Sequence, residues 1–470
     1  MSPSDFGTTS KADFDAAIEC FVNSGGLCRL QFHRPPGNLA GGLHVSLLCN
    51  SVFGSFYRYV HDVDALARSD FAFTLEFATT LSERFEDEET YRTPEIHALL
   101  NRYLGVKLKS PKGIKTDGSV IFANDFVGMS FEVKNEPGAS GYSVQQNVGY
   151  YYRFWGGNKS SSNKKASSNT KSSKPQHGVC PTVLVVLEGP AIEVWGGVLV
   201  DGVAFFDPLT AREHLLVLPD DLPSMRRVAA VLRALKMVIP DLRSYFAAPQ
   251  NVPRGFFPDV CEGGGLKWEF ERALGRRTFV AVLRSGERVG ERVVVKFSRH
   301  GYGTEAHKFL ANLNAAPQLI VDPFVVSPWW TVAVMTFLDA ACLGDDGTLN
   351  ERQYATLSAS LRSFHDADFV HGDLRGPNVL VSPTSDHVWL IDFDWAGKAD
   401  EARYPAFLNH VDVDWPPGAT DGAFIAKSHD LDMLQRLGGG VDRGGGSSVV
   451  SALRGLSLDG DARGGGVGRF

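Results

Sequence analysis

The chain has 470 residues, of which 43% are apolar and 11% aromatic, enough for two or three packed domains and too apolar for a disordered protein. Its formal charge of −7 excludes a global attraction to nucleic acid, so any such binding depends on local basic patches. Six scattered cysteines show no metal-ligand or redox spacing and read as free thiols of a reducing compartment. The opening Met-Ser-Pro-Ser-Asp-Phe lacks the basic flank and apolar stretch of a signal peptide, and no apolar run reaches the ~18 residues of a membrane span. An intracellular protein of the cytoplasm or nucleus, without membrane contact, is expected.

In chain order, residues 70–84 carry Phe71, Phe73, Leu75, Phe77 and Leu81, and an acidic run follows at 86–89. The next helix starts with Thr93 as cap and Pro94 at its first position, and Ile96, Leu99, Leu100 and Leu104 make its buried stripe. Residues 116–135 then form two β-rich runs around Asn124-Asp125, which reads as a hairpin turn. With those two residues as the turn, position 123 pairs with 126 and Asp117 lies opposite Glu132. Strand alternation puts Lys134 on the same face as Glu132. Opposed carboxylates stand ~5 Å apart at their β-carbons and repel, and a bound cation turns that repulsion into a binding site.

The helix that follows carries Gln145 and Gln146 and ends in an aromatic run at 150–155. An aspartate, then Glu-x-Lys on the next strand, then a helical glutamine resembles the PD-(D/E)XK nuclease superfamily. That resemblance implies magnesium held by Asp117 and Glu132, Lys134 positioning or deprotonating the hydrolytic water, and Gln146 (or Gln145) at the pocket's border. Glu89 resembles the glutamate of the family's first helix. The plain alternative for Glu132 and Lys134 is a solvated strand face. Residues 156–178, rich in serine and lysine without an acid, read as a disordered insert, with contact to phosphate backbones or a part in nuclear import as the less favoured use. Strands at 182–187, 192–195 and 203–206 and a helix at 225–237 resume. Residues 1–245 are therefore expected to be one restriction-endonuclease-like α/β domain split by that insert.

Pro and Gly at 253–258 and 263–265 mark a boundary. Strands are expected at 266–270, 278–283 and 292–297, a buried strand at 331–339, and an amphipathic helix at 353–365. This helix leads into Val-His-Gly-Asp-Leu-Arg-Gly-Pro-Asn at 370–378, and Leu-Ile-Asp-Phe-Asp-Trp-Ala-Gly follows at 390–397. Asp373, then Asn378, then Asp392 after an apolar run suits phosphoryl transfer. One carboxylate orients the attacking hydroxyl, while the amide and the second carboxylate hold magnesium. A turn rich in Asp, Gly and Asn between two buried strands is the bland alternative.

The pattern resembles the catalytic loop and metal-binding Asp-Phe-Gly of the protein-kinase superfamily, with Gly372 in place of the loop arginine and Asp394 in place of the final glycine. The resemblance implies ATP and Mg2+ as cofactors, with Asn378 and Asp392 on the metal and Lys296 on the α- and β-phosphates. Elimination makes Glu305, the only acid between Phe297 and Val321, the ion-pair partner of Lys296. The likeness further implies a glycine-rich flap, reduced here to Gly275, and Met335 beside adenine, with a core methionine as the equal alternative. Arg375 stands in the place of a phosphate-contacting lysine, His371 is expected to brace the loop, and Asp430 to pin its backbone. The glycine tail at 441–470 cannot build a full helical lobe, so 250–440 is expected to be a minimal bilobal protein-kinase-like domain.

A restriction-endonuclease-like domain followed by a kinase-like one resembles Crinkler-type effector proteins, fungal ones above all. The resemblance implies an α+β protein of two domains: a PD-(D/E)XK-like α/β nuclease core that meets DNA, and a phosphotransferase acting on a protein substrate. It leaves open secretion as an effector without a visible signal peptide. His-Gly-Asp also occurs in small-molecule kinases, while the long stretch between Asp392 and Asp430 favours a protein acceptor. Two other readings stay open: a kinase whose N-terminal domain only binds a partner, and a pseudokinase scaffold.

Overall fold

The computed structural model of the protein describes residues 43–83, 90, 92–135, 143–155, 178–200, 203–248, 257–275, 277–299 and 301–438. Glu89, the insert from 156 to 177 and the glycine tail from 439 lie outside the described residues. The chain divides into two units, Met1–Val260 and Cys261–Phe470. The division falls beyond the expected 245–250 boundary because Asp259 is tied to the first unit. Its carboxylate accepts from the amides of Asn50 (2.7 Å) and Ser51 (3.3 Å), and its own amide donates to the Leu47 carbonyl.

The first unit holds α1 (Ser55–His61), α2 (Arg68–Ser82), α3 (Thr93–Leu104), α4 (Ser143–Trp155) and α5 (Leu222–Ala247). Its strands are β1 (Ser119–Ile121), β2 (Val127–Lys134), β3 (Thr182–Glu188), β4 (Ala191–Val200), β5 (Val203–Pro208) and β6 (Glu213–His214). They form one sheet in the order β1-β2-β3-β4-β5, with β6 on β4. β2 and β3 run parallel, joined by a crossover that contains α4, and the other pairs are antiparallel. Asn147 fastens α4 to both strands, its Nδ2 donating to the carbonyls of Ser130 (3.2 Å) and Val185 (3.1 Å). Thr93, expected as a cap, is instead the first residue of α3, and Gly105, with φ of 68°, ends that helix in the left-handed region. α5 outruns its expected 225–237 span. Its apolar stripe continues through Val238, Ile239, Leu242 and Phe246, all buried, and that packing carries the helix past Pro240.

In the second unit β7 (Glu262–Gly263), β8 (Leu266–Ala273), β9 (Thr278–Leu283), β10 (Arg292–Arg299), β11 (Leu319–Ser327) and β12 (Trp330–Thr336) make an antiparallel sheet, ordered β11-β12-β10-β9-β8-β7. α6 (Thr304–Asn312) connects β10 to β11. The strand expected to run to residue 339 stops at Thr336, and an extended linker leads on to β13 (Ala341–Cys342). α7 (Glu351–Asp366) opens on a reciprocal cap, Asn350 Oδ1 accepting from the Gln353 amide (2.9 Å) and Gln353 Oε1 from the Asn350 amide (3.1 Å). β14 (Phe369–Val370) pairs with β17 (Gly397–Lys398), and β13 with β15 (Val379–Val381), itself paired with β16 (Val388–Leu390). α8 (Lys427–Leu437) packs into the same core as Leu361, Phe364, Leu374 and Phe393. Among the described residues no helix is long and apolar enough to cross a membrane.

Candidate active site

β10 alternates. Val293, Val295 and Phe297 are fully buried on one face, which turns Val294, Lys296 and Ser298 to the other. Val294, Leu274, Met335, Leu338, Leu380 and Ile391 line a cleft that is open to solvent and includes Lys296 and Asp392. Its apolar walls suit a flat heteroaromatic ring with charged groups beyond it. Met335 is buried in β12 and lines this cleft, whereas Gly275, in the exposed turn between β8 and β9, does not.

Lys296 is almost wholly buried, and its ammonium lies 2.5 Å from Asp392 Oδ1 and 2.8 Å from Asp394 Oδ1. Burial pulls its pKa down, the two carboxylates push it up, and the net direction is up, so the lysine stays charged. Burial raises the Asp392 carboxyl, and the Lys296 charge more than offsets this, holding it below its usual range. Asp392 also sits at φ of 71°, a left-handed backbone that a non-glycine residue adopts at a cost of ~1–3 kcal/mol and that recurs at functional sites.

The loop carrying Asp373 is braced from below. Asp430, fully buried on α8, accepts from the amides of His371 (2.8 Å) and Gly372 (2.8 Å) and bonds His365 Nε2 (3.1 Å). His371 is fully buried, with Nε2 donating to the Ile391 carbonyl (3.1 Å) and its ring edge-on to Phe393. It holds the loop and faces no solvent. Asn378 donates Nδ2 to both the carbonyl and Oδ2 of Asp373 (2.8 Å each), and its own carbonyl accepts from the Ile391 amide (3.0 Å). The amide oxygen, the only part of that side chain able to ligate a cation, makes neither of these bonds. Arg375 grips Asp373 with two bonds of 2.5 and 3.0 Å, while its guanidinium stacks over Trp415. Asp373 and Asn378 thus form one bonded pair and Asp392 and Lys296 another, joined by the backbone bond from Ile391 to Asn378.

Glu305 does not join it. Its side chain is 75% exposed and lies 3.3 Å from Lys308 on the same helix, so it is not the partner of Lys296. The α6 position turned inward is His307, and the acids that meet the lysine come from the Asp392 segment. The partner of Lys296 is therefore not a helical acid. Asp394 is a site residue that residue type and order alone do not mark. Its only signal was an acid where the kinase pattern has glycine.

In the first unit the β1–β2 register pairs Ser119 with Ser130 and Val120 with Met129, which extends to Asp117 opposite Glu132. Asp117 precedes β1, and its Oδ2 accepts from the Val133 amide (2.9 Å). Glu132 is fully buried and Lys134 nearly so, with Lys134 Nζ 2.9 Å from Glu132 Oε1. This is no solvated strand face. Gln146 Nε2 bonds the Tyr150 hydroxyl (3.0 Å), and the Tyr150 phenol is pushed up first by burial and then by the charges of Glu132 and Asp117. Gln145 and Gln146 each keep a buried Oε1 with no hydrogen-bond partner among the described residues.

No family model matches the chain, and no curated protein does. Among solved structures it is similar to the Cydia pomonella granulovirus kinase PK-1, with 16% identity and a TM-score of 0.25 over 30% of this chain and 58% of that one. It is also similar to vaccinia related kinase 3, with 14% identity and a TM-score of 0.28 over 38% of this chain and 65% of the other. Each likeness spans less than two thirds of the solved chain.

Proposed function

We propose that the second unit is a phosphotransferase of protein-kinase-like fold that uses MgATP. The observation that carries this reading is the grouping of Lys296, Asp392, Asn378 and Asp373 beside an apolar cleft. The cleft fits adenine, the Lys296 ammonium fits phosphate oxygens, and the Asn378 amide with the Asp392 carboxylate is an oxygen donor set suited to Mg2+. When bound, MgATP supplies the phosphoryl group and a metal that neutralises its charge. Asp373, oriented by Arg375 and Asn378, accepts the hydrogen of the acceptor hydroxyl and sets it in line. The long stretch between Asp392 and Asp430 gives room for a docking segment, which favours a protein acceptor over a small molecule. Asp373→Ala should reduce transfer at least ~100-fold and leave MgATP affinity within about threefold, because the carboxylate serves the acceptor. Undiminished phosphorylation by that variant in a radiolabel assay counts against the reading.

A second reading concerns the first unit and rests on the burial of Glu132 and Lys134 beside Asp117. A buried charge pair contributes little net stability, so a functional role is the better account of it here. We propose a magnesium-dependent nuclease of PD-(D/E)XK type acting on DNA, with Asp117 and Glu132 on the metal, Lys134 at the water and Gln146 at the border. Joined to the phosphotransferase, it would make a Crinkler-type effector that works in the cytoplasm or nucleus. Metal-dependent DNA cleavage that Glu132→Gln removes is the expected result, and wild-type protein inert on every DNA substrate would end this reading.

A further inference from the structure

We propose that Asp394 is the positioning residue for Lys296, anchoring its ammonium for the nucleotide phosphates in place of a helical acid. The inference rests on the phosphotransferase reading and adds to it the residue that makes the lysine usable.

A nearly buried ammonium needs a fixed counter-charge, or it neutralises or reaches for whatever anion is near. Lys296 has two such partners, Asp392 at 2.5 Å and Asp394 at 2.8 Å. They are not equivalent. Asp392 lines the cleft and its side chain is 40% exposed, so it is the one of the two that would serve a cation bound with the nucleotide. Asp394 lies outside the cleft lining, is 15% exposed, and its Oδ1 is also fixed by the Ser298 hydroxyl at 2.7 Å. Ser298 and Lys296 sit two residues apart on β10, so strand alternation presents both to the same carboxylate. With Asp392 engaged by a metal, Asp394 would be the acid left on the lysine. Glu305 cannot replace it, since it faces solvent with Lys308. A glycine at 394 would leave Lys296 without that anchor.

The test is a double-mutant cycle by titration calorimetry, using ATP with and without Mg2+, on wild type, Asp394→Asn, Lys296→Met and the double variant. Asp394→Asn should weaken ATP about tenfold with Mg2+ and less without it, where Asp392 still holds the lysine, with no further loss in the Lys296→Met background, and Asp394→Glu should recover part of the affinity. An equal loss in the Lys296→Met background would mean a merely structural role and overturn the proposal. A Mg2+-dependent loss that persists in the Lys296→Met background would make Asp394 a metal ligand and overturn it as well. Should Asp394→Asn fail to fold in thermal melts, Ser298→Ala frees the same carboxylate while keeping its charge. A two- to threefold loss that depends on Lys296 is expected there, and unchanged affinity overturns the proposal. Wild type that binds no ATP sinks the phosphotransferase reading itself, whereas wild type that binds ATP with Asp394→Asn unaltered sinks only the anchor.

Discussion

Gly372 stands where the kinase pattern has arginine, and its surroundings explain the exchange. Its φ is 81°, its amide donates to Asp430 Oδ1 at 2.8 Å, and a β-carbon there would lie 2.5 Å from Ile425 Cδ1. The tight left-handed turn lets the chain hand two amides to one buried carboxylate, and an L side chain pays for that backbone with ~1–2 kcal/mol. Gly372→Ala should therefore lower unfolding free energy by about 2 kcal/mol once the Ile425 shift is included, read from urea denaturation midpoints. A midpoint equal to wild type would show that the turn can relax. The acids at 373, 392 and 430 were legible because each belongs to a short run whose order carries the chemistry. Asp394 was not. Its meaning depends on a lysine 98 positions away, and only the folded chain brings the two to 2.8 Å.

At the scale of elements, the hairpin was legible for a reason only half right. The expected two-residue turn is a three-residue one, Ala123–Asp125, with Asn124 and Asp125 both at positive φ and the Phe122 amide donating to the Phe126 carbonyl. A register shift between Val120 and Ile121 compensates, so 119 still pairs with 130. Turn length and bulge offset each other, and neither can be read from β-propensity. α6 was hidden differently, because its inward residue is a histidine rather than an acid. His307 is fully buried, stacks on Phe393 with centroids 4.3 Å apart, and lies between the Tyr302 hydroxyl (2.8 Å) and the Pro317 carbonyl (2.7 Å). The carbonyl can only accept, so Nε2 carries the proton and Nδ1 receives the tyrosine's. Burial, helped by the Lys296 charge, pulls its pKa down to about 4. The unfolded chain, titrating near 6.5, takes up a proton first, so this group's stabilisation is full above about pH 6.5 and drains as pH falls toward 4. The loss reaches about 3 kcal/mol. In a pH series of unfolding curves, His307→Gln should lose stability less steeply across that window than wild type. Parallel curves would remove the histidine from the account.

For the whole molecule the question is whether the two constellations act separately. Each unit has its own sheet and its own buried charged cluster, Glu132–Lys134 in one and Lys296–Asp394 in the other. The bonds that fix each cluster come from within its unit: Asp117 takes the Val133 amide, and Asp430 takes those of His371 and Gly372. Substitutions at sites that share no partner add without coupling. Asp373→Ala should then abolish phosphorylation and leave DNA cleavage within about twofold, while Glu132→Ala does the reverse, and the double variant shows both losses and no more. Wild type and the three variants are to be assayed side by side for ATP turnover and for metal-dependent cleavage, with thermal melts to exclude unfolding. Glu132→Ala carries its own hazard: it leaves Lys134 buried without its carboxylate, a change that costs ~3–5 kcal/mol when a buried pair is broken. Glu132→Gln keeps the shape and removes only the charge, so loss of cleavage in both variants with intact melts separates chemistry from stability. Loss of ATP turnover in Glu132→Gln, with its melting curve unchanged, would contradict independence and make the first unit's site a regulator of the second.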